Sequence, residues 1–250
     1  MINSKRIMEI SRLSGMRPWQ QEKHYLQSLI LTIVSDYPLV FKGETYLWFF
    51  HGLNRFSEDL DFTAKGPVKG ELPEFVSRSL NLYGYENEFK IMKENNRGMS
   101  ARFTIDGPLH TTEKDRCVIY VEISGREEVI LPNISLMIDF PQYDIPVRAI
   151  NGMNLDEVGA EKVRAILTRE KARDVYDLHY LICRKKIKFD RGLINKKLDS
   201  YHMDFDPAEF IDKLGQTGRA YTMELKQTIL GELPEFEDVQ KCIGNWVEGS

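Results

Sequence analysis

Apolar residues recur at close to helical spacing at Trp19, Leu26, Leu29, Ile30, Ile33 and Val34. Pro18 suits the first turn of such a helix and Pro38 stands beyond its end. A shorter helix is predicted before it, capped at Ser4, running to about Leu13 and broken at Gly15. The pattern then tightens. Residues 39–41 read as a short buried strand, Gly43 as a turn, 45–51 as a brief and largely buried helix closed by Gly52, and 57–63 as a second strand. A helix over 72–83 stops at Gly84. Residues 88–92, 101–105 and 117–123 alternate or run apolar between turn residues such as Asn95-Asn96 and Gly107-Pro108, and 136–140 and 147–150 add two more strands. After Gly152 only helical patterns follow, over 155–167 behind an Asn154 cap, 174–183, 191–198, 207–214, 221–230 and 236–247. The reading is α/β (α+β): residues 1–152 form an α/β segment with N-terminal helices, and 153–250 form a helical C-terminal one. No internal repeat or low-complexity tract interrupts it.

Composition changes this picture little. Of the 250 residues, 42% are hydrophobic and 29% charged, enough for a sizeable core. The net charge of −4 supplies no global positive field for nucleic acid, so any RNA contact must come from local clusters. The basic run Arg184-Lys185-Lys186 reads as a solvated helix end. Three widely spaced cysteines, Cys117, Cys183 and Cys242, point to reduced thiols and a cytoplasmic setting rather than a disulfide framework or zinc site. The start of the chain, Met1 to Arg6, has no apolar signal core, and the apolar stretch 29–34 is too short to span a bilayer, so no membrane partner is expected.

The chemistry concentrates in Phe56-Ser57-Glu58-Asp59-Leu60-Asp61-Phe62. On a strand, Asp59 and Asp61 share one face, and two carboxylates that close repel unless something offsets them. A divalent cation does so, and Mg²⁺ favours carboxylates together with substrate phosphates. A solvated acidic turn is the alternative. Upstream, strand 39–41 enters the Lys42-Gly43 turn, which opens a helix. Glycine permits close backbone approach, and the free N–H groups of a helix start favour phosphate. Amides for phosphates and carboxylates for a metal together suit a nucleoside triphosphate.

These segments resemble a known family. Phe41-Lys42-Gly43-Glu44-Thr45-Tyr46-Leu47 and Arg55-Phe56-Ser57-Glu58-Asp59-Leu60-Asp61-Phe62 look like the first motif of the AbiEii/AbiGii-type nucleotidyltransferases, the toxins of bacterial and archaeal toxin–antitoxin pairs. A second block agrees: Glu161-Lys162-Val163-Arg164-Ala165, then Arg169, then Arg173-Asp174-Val175-Tyr176-Asp177-Leu178. The resemblance covers roughly residues 39–183. It implies a polymerase-β-like nucleotidyltransferase fold, a mixed sheet flanked by helices. It also implies metal-dependent transfer of a nucleotide from a nucleoside triphosphate (NTP), with Mg²⁺ (or Mn²⁺), to RNA such as tRNA, and a cognate antitoxin as partner.

Carried over, Asp59 and Asp61 would hold metal, and Gly43 and Ser57 would contact triphosphate oxygens. The third carboxylate common in the superfamily would be Glu122 in Val118-Ile119-Tyr120-Val121-Glu122-Ile123, with an edge-strand surface position as its alternative and Asp139 as substitute. Lys162 would offset triphosphate charge, against a solvated helix lysine. Of Asp174 and Asp177, neighbours on a helix, one would complete the site or orient Lys162. The other reading has Asp174 favouring a helix start and Asp177 pairing with Arg173. Arg126 would grip phosphate or RNA, against a solvated turn. Trp48, Phe49 and Phe50 read as core rather than as a base-stacking platform. The chain departs from the family at Glu44, where a second glycine is usual. Solvated, Glu44 only complements the helix dipole; turned inward, it repels phosphate. Transfer to a small molecule or protein, and a non-catalytic nucleotide-binding module, therefore stand beside RNA transfer as readings.

Overall fold

The computed structural model describes residues 2–66 and 70–249. Met1 and Ser250, the outermost residues of the two expected segments, lie outside them, as do residues 67–69.

The described residues divide into two compact units. Among the described residues, the first comprises 2–46, 58–66, 70–129 and 133–152. It opens with α1 (Ser4–Ser14) and α2 (Pro18–Val34). Asn3, not Ser4, caps α1, its side chain accepting from the Arg6 N–H, and Gly15 ends it at a φ of 74°. Most of α2 is buried, including polar residues its apolar stripe does not announce. These polar groups are partnered inside. Glu22 accepts from the Leu109 N–H, Lys23 pairs with Glu58, and the Tyr143 hydroxyl meets His24 Nδ1 at 2.7 Å. Trp19, by contrast, is exposed.

The chain continues through β1 (Leu39–Lys42), α3 (Gly43–His51), β2 (Leu60–Ala64), α4 (Leu72–Leu82), β3 (Asn87–Asn95), β4 (Gly98–Ile105), β5 (Cys117–Ser124), β6 (Ile134–Ile138) and β7 (Arg148–Gly152). The strands form one mixed sheet in the order β3-β4-β5-β2-β1-β7-β6. The pairs β2–β5 and β1–β7 are parallel and the remainder antiparallel. The interior strands carry the core: Leu39, Val40, Phe41, Leu60, Phe62, Ile119 and Val121 are all buried. The edge strand β3 is largely exposed and carries Lys90 and Lys93, a composition that discourages edge pairing with other chains.

The strand expected over 57–63 begins only at Leu60. Residues just before it are engaged elsewhere: Arg55 bridges Ile229, and the Phe56 N–H donates to the Thr228 carbonyl. Asp59 thus lies before the strand and not on it, and only Asp61 is a strand residue.

Among the described residues, the second unit comprises 47–57, 130–132 and 153–249. Its helices are α5 (Leu155–Thr168), α6 (Ala172–His179), α7 (Arg191–Leu198), α8 (Pro207–Gln216), α9 (Gly218–Leu225) and α10 (Phe236–Gly249). Asn154, Asp190 and Asp206 cap α5, α7 and α8 by accepting backbone N–H groups. A single π-helical turn, Tyr180–Arg184, continues α6. Buried Val163, Ile166, Val175, Leu178, Ile194, Phe210, Leu214 and Ile243 form the core. Under it Lys197, almost wholly buried, pairs with Glu157 and Glu161 at 2.5 and 3.3 Å.

One expectation fails here. Cys183 and Cys242 are joined as a disulfide, with Cα atoms 6.8 Å apart, and only Cys117 remains a free, buried thiol. A separation of 59 residues hid the pairing, which arises because α10 packs against α6 and its π turn. Among the described residues no helix is long and apolar enough to cross a membrane.

Candidate active site

The centre of the sheet in the first unit sets a row of charge. Lys42 at the end of β1 lies opposite Asp61 of β2, and Asp61 lies in register with Glu122 of β5. Residues directly opposite across paired strands share a face. On β2 the buried Leu60 and Phe62 flank a half-buried Asp61, and on β5 the buried Val121 and Ile123 flank an exposed Glu122. Alternation alone therefore puts the three charged groups on one face. Glu122 is on an interior strand, so the edge-strand reading of this residue falls. Asp139, the substitute, follows β6, which is the sheet edge, and is exposed.

Gly43 follows Lys42 at a φ of 78°. A Cβ placed there would stand 2.9 Å from the Asp61 Cβ and 3.0 Å from its Cγ, and closer still to its carboxylate oxygen. The glycine is thus required both by its backbone conformation and by the room the Asp61 carboxyl occupies. Asp59 is half-buried, and its carbonyl accepts from the hydroxyl of Thr45, a fully buried residue of α3.

Glu44 is not solvated. It is 8% exposed, and its negative charge acts on Asp61 more strongly than that of Glu122 or Asp59. The inward alternative for this residue is the one the structure adopts. Burial first, then Glu44, Glu122 and Asp59, push the Asp61 carboxyl up to about 7, against the opposing pull of Lys42. Carboxylates are hard oxygen donors, the ligand type that Mg²⁺ and Mn²⁺ prefer. Asp61, with Asp59, Glu122 and Glu44 acting on it, offers that ligand type. Glu44 and Lys42 both lie in the motif quoted from the sequence. Only their burial, which one chain segment cannot reveal, marks them as part of the cluster.

The second unit holds an ion network centred on two fully buried carboxylates, Asp174 and Asp177. Lys162 Nζ, on α5, donates to Asp174 Oδ1 at 2.9 Å and pairs with Asp177 Oδ2 at 2.7 Å, both on α6. Asp174 also receives Arg169 through Nε at 2.8 Å and Nη2 at 2.9 Å. Asp177 receives Arg55, with Nε and Nη2 each 3.0 Å from Oδ1 and Nη2 2.9 Å from Oδ2. Burial alone would raise Asp174. The charge of Lys162 and the hydrogen bonds and charge of Arg169 outweigh it and hold the carboxyl below the ordinary carboxylate range. Lys162 is 6% exposed and is not a solvated helix lysine. Asp177 engages Arg55, a partner 122 residues away that helical spacing could not suggest.

Ser57 is buried in the second unit. Arg126 occupies an exposed turn past β5, where its N–H donates to Ser124 Oγ at 3.4 Å. Trp48, Phe49 and Phe50 are half-buried. Their rings pack in sequence, Trp48 on Phe49 at 5.0 Å and Phe49 on Phe50 at 6.3 Å, and Trp48 also meets Phe56 at 5.1 Å. Edge-to-face packing of this kind belongs to a packed cluster.

Residues 25–242 match the family described as nucleotidyl transferase AbiEii toxin, type IV TA system. No curated protein matches the chain. Solved structures share its fold, among them two proteins of bacterial origin. MenT4, a nucleotidyltransferase toxin from Mycobacterium tuberculosis H37Rv, is 18% identical with a TM-score of 0.60, the match covering 97% of each chain. JHP933 from Helicobacter pylori is 22% identical with a TM-score of 0.59, over 89% of this chain and 88% of that one.

Proposed function

Because the chain belongs to the nucleotidyl transferase AbiEii toxin family, we propose that this toxin transfers a nucleotide from a nucleoside triphosphate to RNA, tRNA being the first acceptor to test, with Mg²⁺ or Mn²⁺ as cofactor and a cognate antitoxin as partner. The observation that carries the reading is the set of carboxylates around Asp61, whose charges add to burial in raising its carboxyl to about 7.

Asp59, Asp61 and Glu122 would hold the cation, with Glu44 adding charge beside them. Bound there, the metal would neutralise triphosphate charge and favour departure of pyrophosphate. Gly43 keeps the Asp61 carboxyl in place by leaving it room, and the amides that follow it at the start of α3 are donors suited to phosphate oxygens. The motif around Lys162 implies a cation for the triphosphate. Asp174 and Asp177 act as positioning residues, fixing that ammonium from two sides.

Labelled nucleoside triphosphates, Mg²⁺, total tRNA and the purified chain test the proposal. RNA labelling that vanishes in Asp61→Asn supports it. Label found only in protein or small-molecule fractions moves the acceptor, and no label anywhere refutes transfer.

Glu44 favours a second reading, a nucleotide-binding module without transfer. A buried carboxylate beside the phosphate-facing turn opposes an incoming triphosphate. Calorimetry that finds nucleotide and Mg²⁺ binding with no turnover, together with transfer appearing in Glu44→Gly, would favour it.

A further inference from the structure

His179, Cys183 and Cys242 form a cluster that nucleotide transfer does not use. Their ligand atoms, an imidazole nitrogen and two sulfurs, all lie within 4.8 Å of one another, and all three residues are half-buried. His179 ends α6 and Cys183 lies four residues on, within the π turn Tyr180–Arg184, so one helical face presents both. Cys242 arrives from α10. Single π turns inside helices often mark functional positions, because they shift side chains that regular helix would place elsewhere.

We propose that in the reduced chain His179, Cys183 and Cys242 bind a thiophilic divalent cation of the Zn²⁺ class. Two thiolates and one imidazole form a ligand set Zn²⁺ favours, with bonds of about 2.3 Å to sulfur and about 2.0 Å to nitrogen. Ligands at those lengths around a tetrahedral centre stand roughly 3.3–3.8 Å apart, a spacing within reach of this cluster. Two thiolates cancel the charge of the cation, which suits a half-buried place. Three protein ligands leave a fourth position for water.

The disulfide and the metal are alternatives, because the oxidised pair has no thiolate to offer. An external dithiol gives two electrons and two protons to the Cys183–Cys242 bond and becomes a disulfide itself. The two thiols then release those protons to solvent as the cation binds.

The test uses the full chain, reduced with dithiothreitol, freed of reductant without oxygen and titrated with Co²⁺ alone as a spectroscopic substitute for Zn²⁺. A thiolate-to-cobalt charge-transfer band that saturates at one equivalent and is reversed by Zn²⁺ is expected. It should disappear in Cys183→Ser and in Cys242→Ser, and His179→Ala should weaken the affinity at least about tenfold. A second measurement needs no variant. Zn²⁺ should slow alkylation of Cys183 and Cys242 in the wild-type chain and leave the buried Cys117 unchanged. No band with no protection overturns the proposal, as does a band that persists in either folded serine variant. Asp61→Asn should leave the Co²⁺ band intact, so failure of the nucleotide-transfer reading and failure of this site are separable.

Discussion

Asp61 and Glu122 face each other in register across the parallel pair β2–β5, with Lys42 opposite Asp61 on the other side. The acids are held side by side by backbone pairing, so their mutual repulsion is built into the folded sheet and a cation is the natural relief.

Asp61→Asn removes one charge from this row. Nucleotide transfer should fall by about a hundredfold or more, the scale of losing one electrostatic stabiliser in an active site. The metal-free protein should become more stable near pH 8, because burying a neutral amide among Glu44, Glu122 and Asp59 costs less than burying a carboxylate. Urea unfolding beside a transfer assay checks both; a variant less stable at pH 8 would count against charge crowding.

The raised Asp61 carboxyl fixes the sign of a pH dependence. Its contribution to stability is fully present below the ordinary value of 3.8 and is lost as pH rises through about 7. Without metal, this group therefore makes the fold weaker at pH 8 than at pH 5. Mg²⁺ must displace the remaining proton, so its affinity should rise with pH up to about 7 and then level. Calorimetric titration in two buffers of different ionisation enthalpy measures the released proton directly.

Gly43→Ala should cost about 1–2 kcal/mol from its left-handed backbone alone, with more from the clash at Asp61. Transfer should fall further than stability, since the Asp61 carboxyl is the group displaced. A chemical unfolding curve and turnover at matched folded fraction separate the two effects.

Breaking the buried network has a different signature. Asp177→Ala leaves Arg55 and Lys162 without a shared buried carboxylate and should destabilise the fold by about 3–5 kcal/mol. Lys162→Met removes the cation that Asp174 and Asp177 share and leaves them Arg169 and Arg55, so its cost should be smaller. Measured by urea unfolding, both losses should change little between low and high salt, because buried pairs are poorly screened.

The sheet and most helices were legible because their signals are local. Pro18 opens α2, Asn154 caps α5 and Gly15 stops α1, each through chemistry that one turn of chain contains. What escaped depended on distant segments. The strand bearing Asp61 starts late because Arg55 and Phe56 bond to residues 228 and 229, far along the chain. Glu44 is buried, and its charge acts on the acid of β2, an arrangement of separate segments that no short motif contains. Cys183 and Cys242 read as separate thiols because spacing says nothing of how α10 packs on α6. Asp61, Gly43, Lys162 and the departure at Glu44 stood out in the sequence, whereas what Lys42, Arg55 and Arg169 pair with or act on is set by distant segments.

The missing side chain at position 43 has one more meaning. Because the Asp61 carboxyl occupies the space a methyl group would take, the end of β1 and the start of β2 interlock when the protein folds. The position of the acid is therefore dictated by the backbone of the neighbouring strand, and any side chain added at 43 must move it.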